Sequence, residues 1–374
     1  EEKDSGQPFF SYIAFQAIHA PIQAPKEFVD HYKSTYALGW NKLRQKRFEK
    51  AKELGFIPVT AQLNEVFPDF QRWEELTAEE QETCITDMAV TAGMLEAMDH
   101  HIGRYIDYLN KKGWMENTIF IVTSDNGPDG ADYSQLRLWA SYHGYHRDFE
   151  QHGGRGYYGA IGPEFANALA SPFSYFKYYT GEGGLRVPLI IHGEGLPGNI
   201  QSNEFCFFTD IAPTIYDIAG LSTSANKGYA PITGKSMLPH ILNSNVPIYE
   251  QDEGVGLEAA NSTAYFLNGY KIVKNNIPLG DNQWRLFDLE SDPGETKDIA
   301  SHQPVLFQKM LHEYERYAKS MGVINMPDGY SAEKEVGRKS AIAMFKAFSP
   351  YISTSILLIF ALLYWLRSRK SINN

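Results

Sequence analysis

Cysteine is nearly absent from this chain: Cys84 and Cys206 are the two in 374 residues. Two cysteines cannot build a disulfide framework, so the fold must rest on a hydrophobic core. At 43% hydrophobic residues the chain can fill one large domain and a smaller one beside it. Both cysteines lie in segments that read as packed elements, which makes them buried thiols; a catalytic role would need electropositive surroundings. Basic charge is also scarce. The formal net charge is −11, and no basic patch interrupts the globular part, which argues against a nucleic-acid partner. An anionic substrate would need local cations working against the overall field. Long apolar runs are missing except for Ile352 to Leu366 (ISTSILLIFALLYWL). That run falls short of the roughly 20 residues that cross a bilayer. Tyr364 and Trp365, followed by Arg367, Arg369 and Lys370, nevertheless form the pattern of an interfacial anchor with a basic cytoplasmic tail. The pattern predicts a membrane-spanning segment at 351–366, a tail at 367–374, and an exported, periplasmic or otherwise extracytoplasmic main domain; a buried core helix is the other reading. An initiator Met and a signal peptide are lacking too. The chain opens at Glu1 and reaches Pro8-Phe9-Phe10 with no room for a leading βα unit, so it reads as a fragment without its N-terminal portion.

What is present alternates helix and strand signals. Pro8 to Ala17 reads as a strand, closed by His19-Ala20-Pro21. Residues 22–80 mix proline, aromatics and charge and predict loops with short helices. From Thr83 to Lys112, apolar residues recur at Cys84, Met88, Leu95, Met98, Ile102 and Leu109, and Gly113 stands at the expected C-terminal cap. His100 and His101 fall off that stripe. Thr118 to Thr123 predicts a buried strand, Val187 to Ile191 a second, and Thr209 to Ala219 a helix ended by Gly220. Between Pro128 and Phe176 lies a long segment rich in Gly, Tyr and His, whose aromatic content suggests a lid or pocket wall. Further on, Thr263–Leu267, Asn268-Gly269 and Tyr270–Val273 predict a hairpin with a type I′ turn. Trp284–Leu289 adds a strand and Pro304–Met321 a helix.

Three segments carry possible chemistry. The strand at Thr118 runs into Ser124-Asp125-Asn126-Gly127. Ligands of open α/β sheets bind beyond the carboxyl ends of strands, and adjacent Asp and Asn offer hard oxygen donors that suit Ca²⁺ or Mg²⁺ better than zinc. Asp-Asn-Gly is equally good turn chemistry. His19 follows a predicted strand end, where a histidine is either structural or a cleft residue. Lys177-Tyr178-Tyr179-Thr180-Gly181-Glu182-Gly183-Gly184-Leu185-Arg186-Val187-Pro188 places two cations around a glycine-rich turn. Glycine admits close backbone approach and lysine is a compact charge for an oxyanion; an ion pair between Glu182 and Arg186 is the plainer reading.

In order and spacing, these segments together with Glu96-Ala97-Met98-Asp99, Asp210–Thr214 and Leu286–Glu295 (LFDLESDPGE) resemble the sulfatase family, within the alkaline-phosphatase-like superfamily. The resemblance runs from about residue 8 to 300, and the insert before Lys177 is most similar to that of bacterial arylsulfatases. It implies an α/β fold, an alkaline-phosphatase-like mixed sheet sandwiched by helices, with 1–220 as the C-terminal portion of the catalytic domain. Residues 221–325 would form a small antiparallel-sheet subdomain and 326–350 a linker. It further implies Asp125 and Asn126 as metal ligands, with Ca²⁺ ahead of Mg²⁺. His19 and Lys177 would be catalytic residues on the sulfate and leaving group of a small-molecule or carbohydrate sulfate ester. Sulfatases use a formylglycine made within a C/S-x-P-x-R motif, which this chain lacks; Thr83-Cys84-Ile85-Thr86-Asp87 does not match. The nucleophile would therefore lie in a missing N-terminal part, leaving the chain as given inactive and weak for calcium. A phosphatase, phosphodiesterase or phosphonate monoester hydrolase of the same superfamily is the rival enzyme class, and a non-catalytic membrane-anchored homologue the rival from outside enzymes.

Overall fold

A computed structural model describes residues 7–130, 137–146, 148, 151–222, 230–327 and 329–372. Three helices, α1 (Lys26–Val29), α2 (Lys33–Tyr36) and α3 (Gly39–Glu53), precede the long α4 (Ala78–Lys112). The start of α4 is fixed by a capping box: the Thr77 hydroxyl accepts from the Glu80 N–H, and the Glu80 carboxylate accepts from the Thr77 N–H at 2.8 Å. Its end is set by Gly113 at φ 69°, a left-handed cap that suits glycine. The stretch of α4 from Thr86 to Met94 is mostly buried, with Met88, Ala89, Val90 and Met94 packed against Ile22, Val29, Trp40 and Phe165. The expected apolar stripe does not stay covered, since Leu95 is half exposed, and His100 and His101 are exposed as anticipated.

β1 (Phe120–Thr123) and β2 (Leu189–His192) pair antiparallel, Phe120 opposite His192 and Thr123 opposite Leu189. Of the mixed sheet expected here, the described residues contain one two-stranded antiparallel ladder. The predicted strand at Pro8–Ala17 is not formed either. Its apolar residues Phe9, Phe10, Tyr12, Ile13 and Phe15 stand exposed, with no ladder partner among the described residues. Strand propensity is realised only where a neighbour accepts the backbone hydrogen bonds and covers a face.

The long insert contributes α5 (Arg137–Tyr142) and α6 (Gly162–Ala170), followed by the single turn α7 (Glu182–Leu185). Phe165, Ala166 and Ala168 of α6 are fully buried, and Tyr157 and Tyr158 nearly so. This part of the insert is core rather than lid; residues 131–136 lie outside the described set. After α8 (Ile211–Ile218) and α9 (Leu238–Leu242), β3 (Val255–Ala259), β4 (Ser262–Leu267), β5 (Tyr270–Lys274) and β6 (Arg285–Asp288) form a four-stranded antiparallel sheet in sequence order. The β4–β5 turn has Asn268 at φ 49° and Gly269 at φ 75°, as a type I′ turn requires. One sheet face, Tyr265, Leu267, Ile272 and Leu286, packs on Met310 of α10 (Pro304–Met321). The other face, Ala264, Phe266, Val273 and Phe287, meets Leu185 of α7.

α11 (Ala332–Ile372) holds the segment expected to span a membrane. That expectation is corrected: among the described residues no helix is long and apolar enough to cross a membrane. Ser353, Thr354 and Ser355 break the run, leaving Ile356–Leu366 continuous, well short of the roughly 20 residues required. The membrane partner read from that run loses its basis with it.

Candidate active site

His19 sits in a turn closed by its own N–H donating to Gln16 O at 2.8 Å. Its Nδ1 lies 2.7 Å from Ala20 O. A carbonyl only accepts, so Nδ1 carries the proton and Nε2 is the acceptor. Lys177 Nζ donates to that Nε2 at 3.0 Å across 158 positions of sequence. Lys177 also pairs with Asp129 at 3.3 Å, and Asp129 Oδ2 lies 3.6 Å from His19 Nε2. Lys177 and Asp129 are largely covered, at 16% and 18% side-chain exposure, whereas His19 is open at 52%. An anion arriving from solvent therefore meets histidine first and a held ammonium behind it. Sequence reasoning missed Asp129; its signal was its place directly after the Asp125-Asn126-Gly127-Pro128 turn.

Asp125 and Asn126 leave the end of β1 in a turn braced by Ser124 Oγ donating to Asn126 O at 3.0 Å. Asn126 Nδ2 donates to Asp125 Oδ1 at 2.8 Å. That contact uses the amide nitrogen and leaves Asn126 Oδ1 and Asp125 Oδ2 as oxygen donors. This donor set fits a hard divalent cation as one part of its shell, because Ca²⁺ takes about six to eight oxygens. Among the described residues there is no group of three or more His, Cys, Asp or Glu able to hold a metal.

Backbone contacts join the two pairs. Lys177 N–H donates to Pro128 O at 3.0 Å, and Gly127 N–H to Gly184 O at 2.9 Å. Gly127 must be glycine, since a Cβ there would fall 1.9 Å from Gly183 O. The glycine-rich turn is itself anchored through Glu182. The anticipated Glu182–Arg186 pair exists at 3.8 Å, but the closer partner is Lys271 of β5 at 2.8 Å, which also holds Glu295 at 2.9 Å. Glu295 Oε2 accepts from the Glu182 N–H at 2.8 Å. Burial, less the pull of Lys271, pushes the Glu295 carboxyl up to about 7. For Lys271, burial lowers the pKa, but Glu182 and Glu295 outweigh it and raise it above the ordinary lysine value.

Another family-like segment, Asp210–Thr214, is held by hydrogen bonds. Buried Asp210 accepts from Phe207 N–H, Lys235 N–H and the Tyr249 hydroxyl, which ties three loops together. Both cysteines are free, and burial, reinforced by Asp210, pushes the Cys206 thiol up, away from reactivity.

A cation, a histidine and two outward oxygen donors at one strand end suit the handling of a tetrahedral oxyanion. A model of the Sulfatase family matches residues 1–221, and the chain belongs to that family. An uncharacterized sulfatase of Schizosaccharomyces pombe is 31% identical over 344 residues, covering 89% of this chain and 62% of that protein. The arylsulfatase of Klebsiella aerogenes is 31% identical over 241 residues, covering 62% of this chain and 51% of that protein. Among solved structures, the crystal structure of Ps i-CgsB shares the fold, with a TM-score of 0.51 at 21% identity over 91% of this chain and 56% of that one. The chain thus spans roughly half to three-fifths of the length of these relatives.

Proposed function

We infer that the protein acts in sulfuric ester hydrolysis of the arylsulfatase type, on a small-molecule or carbohydrate sulfate ester. The observation that carries this reading is the Lys177–His19 contact at 3.0 Å, beside the Asp125–Asn126 turn. Membership of the sulfatase family and the likeness to an arylsulfatase support it. Lys177 binds sulfate oxygens, exchanging part of its pairing with Asp129 for the incoming anion. As the sulfuryl group passes from the ester oxygen to an attacking oxygen nucleophile, one S–O bond forming while the other breaks, the departing ester oxygen takes a proton held between Lys177 Nζ and His19 Nε2. The Nδ1–H to Ala20 O contact fixes the ring so that Nε2 faces that proton. Asp125 and Asn126 would hold a Ca²⁺, or less favourably Mg²⁺, which supplies charge stabilisation at the sulfate oxygens. No C/S-x-P-x-R motif occurs in this chain, so no step is assigned to a formylglycine.

The test is sulfate release from a nitrophenyl sulfate by the full-length protein that includes this chain, with calcium and after chelation. Release that falls on chelation and in Lys177→Ala supports the reading. Hydrolysis of a phosphonate monoester with no sulfate release overturns it.

A further inference from the structure

We propose that Lys271, through Glu182 and Glu295, is a positioning residue for the Asp125–Asn126 turn, so that the C-terminal sheet sets where the two oxygen donors stand. The proposal deepens the reading above and rests on it for the identity of the metal turn. Its premise is a chain of contacts without a gap. Lys271 is fully buried on the sheet face that meets α7, its Nζ 5.0 Å from the Phe266 ring centroid. It holds the carboxylate of Glu182, the first residue of α7, and that of Glu295. Glu295 in turn accepts from the Glu182 backbone. Thr180, just before α7, is clamped from the same sheet: its N–H donates to Asn275 Oδ1 at 2.8 Å and its hydroxyl to Thr263 O at 3.0 Å. The glycines that follow Glu182 press on Gly127, with Gly184 O accepting the Gly127 N–H and no room for a Cβ.

The cluster sets one ammonium against two carboxyl groups in the interior. A buried ion cluster is weak as a stabilising device, because apolar residues of similar size often do as well or better. It is strong as a locating device, because charged hydrogen bonds tolerate little displacement. Partners that orient metal ligands from outside the coordination shell typically change metal affinity by about 10–100-fold when lost.

The experiment compares the protein with Lys271→Met and with the double variant Lys271→Met/Glu295→Met. The double variant leaves Glu182 with Arg186 at 3.8 Å, so no unpaired buried charge remains to unfold it. Two quantities are read: amide hydrogen exchange at residues 124–130, and Ca²⁺ affinity by calorimetry. The expected result is exchange at Gly127 faster by at least about 10-fold and Ca²⁺ affinity lower by about 10-fold. Amides of α4 should keep their protection. A folded double variant with both quantities within about twofold of the parent overturns the proposal, and so does a double variant that cannot fold, which would make the cluster a support of the whole fold. The exchange readout needs no substrate. Absence of sulfate ester turnover in the full-length protein would therefore sink the functional reading while leaving the positioning result to stand or fall by itself.

Discussion

Two of the places where lysine meets carboxylate in this molecule, Lys177 with Asp129 and Lys271 with Glu182 and Glu295, differ in everything except the chemistry of the side chains. Lys177 sits with Asp129 and His19 at a rim that solvent reaches, its pair 3.3 Å apart and its histidine half exposed. Lys271 sits with Glu182 and Glu295 in the interior, fully buried, with contacts of 2.8 and 2.9 Å. Near water a pair is weak and its members exchange partners readily. In the interior the same charges find no substitute partner, so breaking the set leaves an unmatched ion. The first arrangement suits an anion that must come and go; the second suits a part that must not move.

The largest expected effect breaks the buried set. Lys271→Met should destabilise the protein by about 3–5 kcal/mol, read from the urea midpoint. Next comes the set at the rim: Lys177→Ala in the full-length protein should lower sulfate ester turnover by about 10²–10³-fold while costing less stability than Lys271→Met, because solvent reaches the rim through His19. Equal stability losses at the two lysines would erase the distinction between the sites. A third effect is pH dependence. Glu295 binds a proton more tightly folded than unfolded, its pKa rising from 4.5 to about 7. The folded state thus holds the extra proton between those values, and stability should fall as pH rises through that window and then level off. Glu295→Gln should flatten that slope in denaturant midpoints taken across it; an unchanged slope would place the titration elsewhere. A smaller effect sharpens the link between the two regions. Gly127→Ala, with its Cβ against Gly183 O, should cost about 1–3 kcal/mol and weaken Ca²⁺ binding, whereas Gly113→Ala, with open space around it, should cost about 1–2 kcal/mol through its φ of 69° and leave Ca²⁺ binding alone.

Elements with local signals were legible. Asn268-Gly269 between alternating apolar residues announced the β4–β5 hairpin, Pro304 and Met321 bounded α10, and Gly113 closed α4, because each depends on residues a few positions apart. Pro8–Ala17 looked as strand-like as any segment yet lies unpaired among the described residues, since pairing is a property of neighbours. The C-terminal apolar run has the flanks of an anchor, but its serines and threonine shorten its continuous apolar length. Within the site, the types and order of His19, Asp125, Asn126 and Lys177 could be read from the chain. Asp129 looked like loop residue and Lys271 like an ordinary strand lysine.

The sequence by itself determined which residue types this protein has available: a carboxylate and an amide after a strand, a histidine in a turn, a lysine before a glycine-rich turn. Those choices are covalent and local. The tertiary structure alone decided that Lys177 touches His19 across 158 positions, and that Lys271 turns inward to Glu182 and Glu295 rather than outward to water. The reason is physical. What a charged side chain does is set by its distance to other charges and its access to water, and both come from packing between segments far apart in the chain.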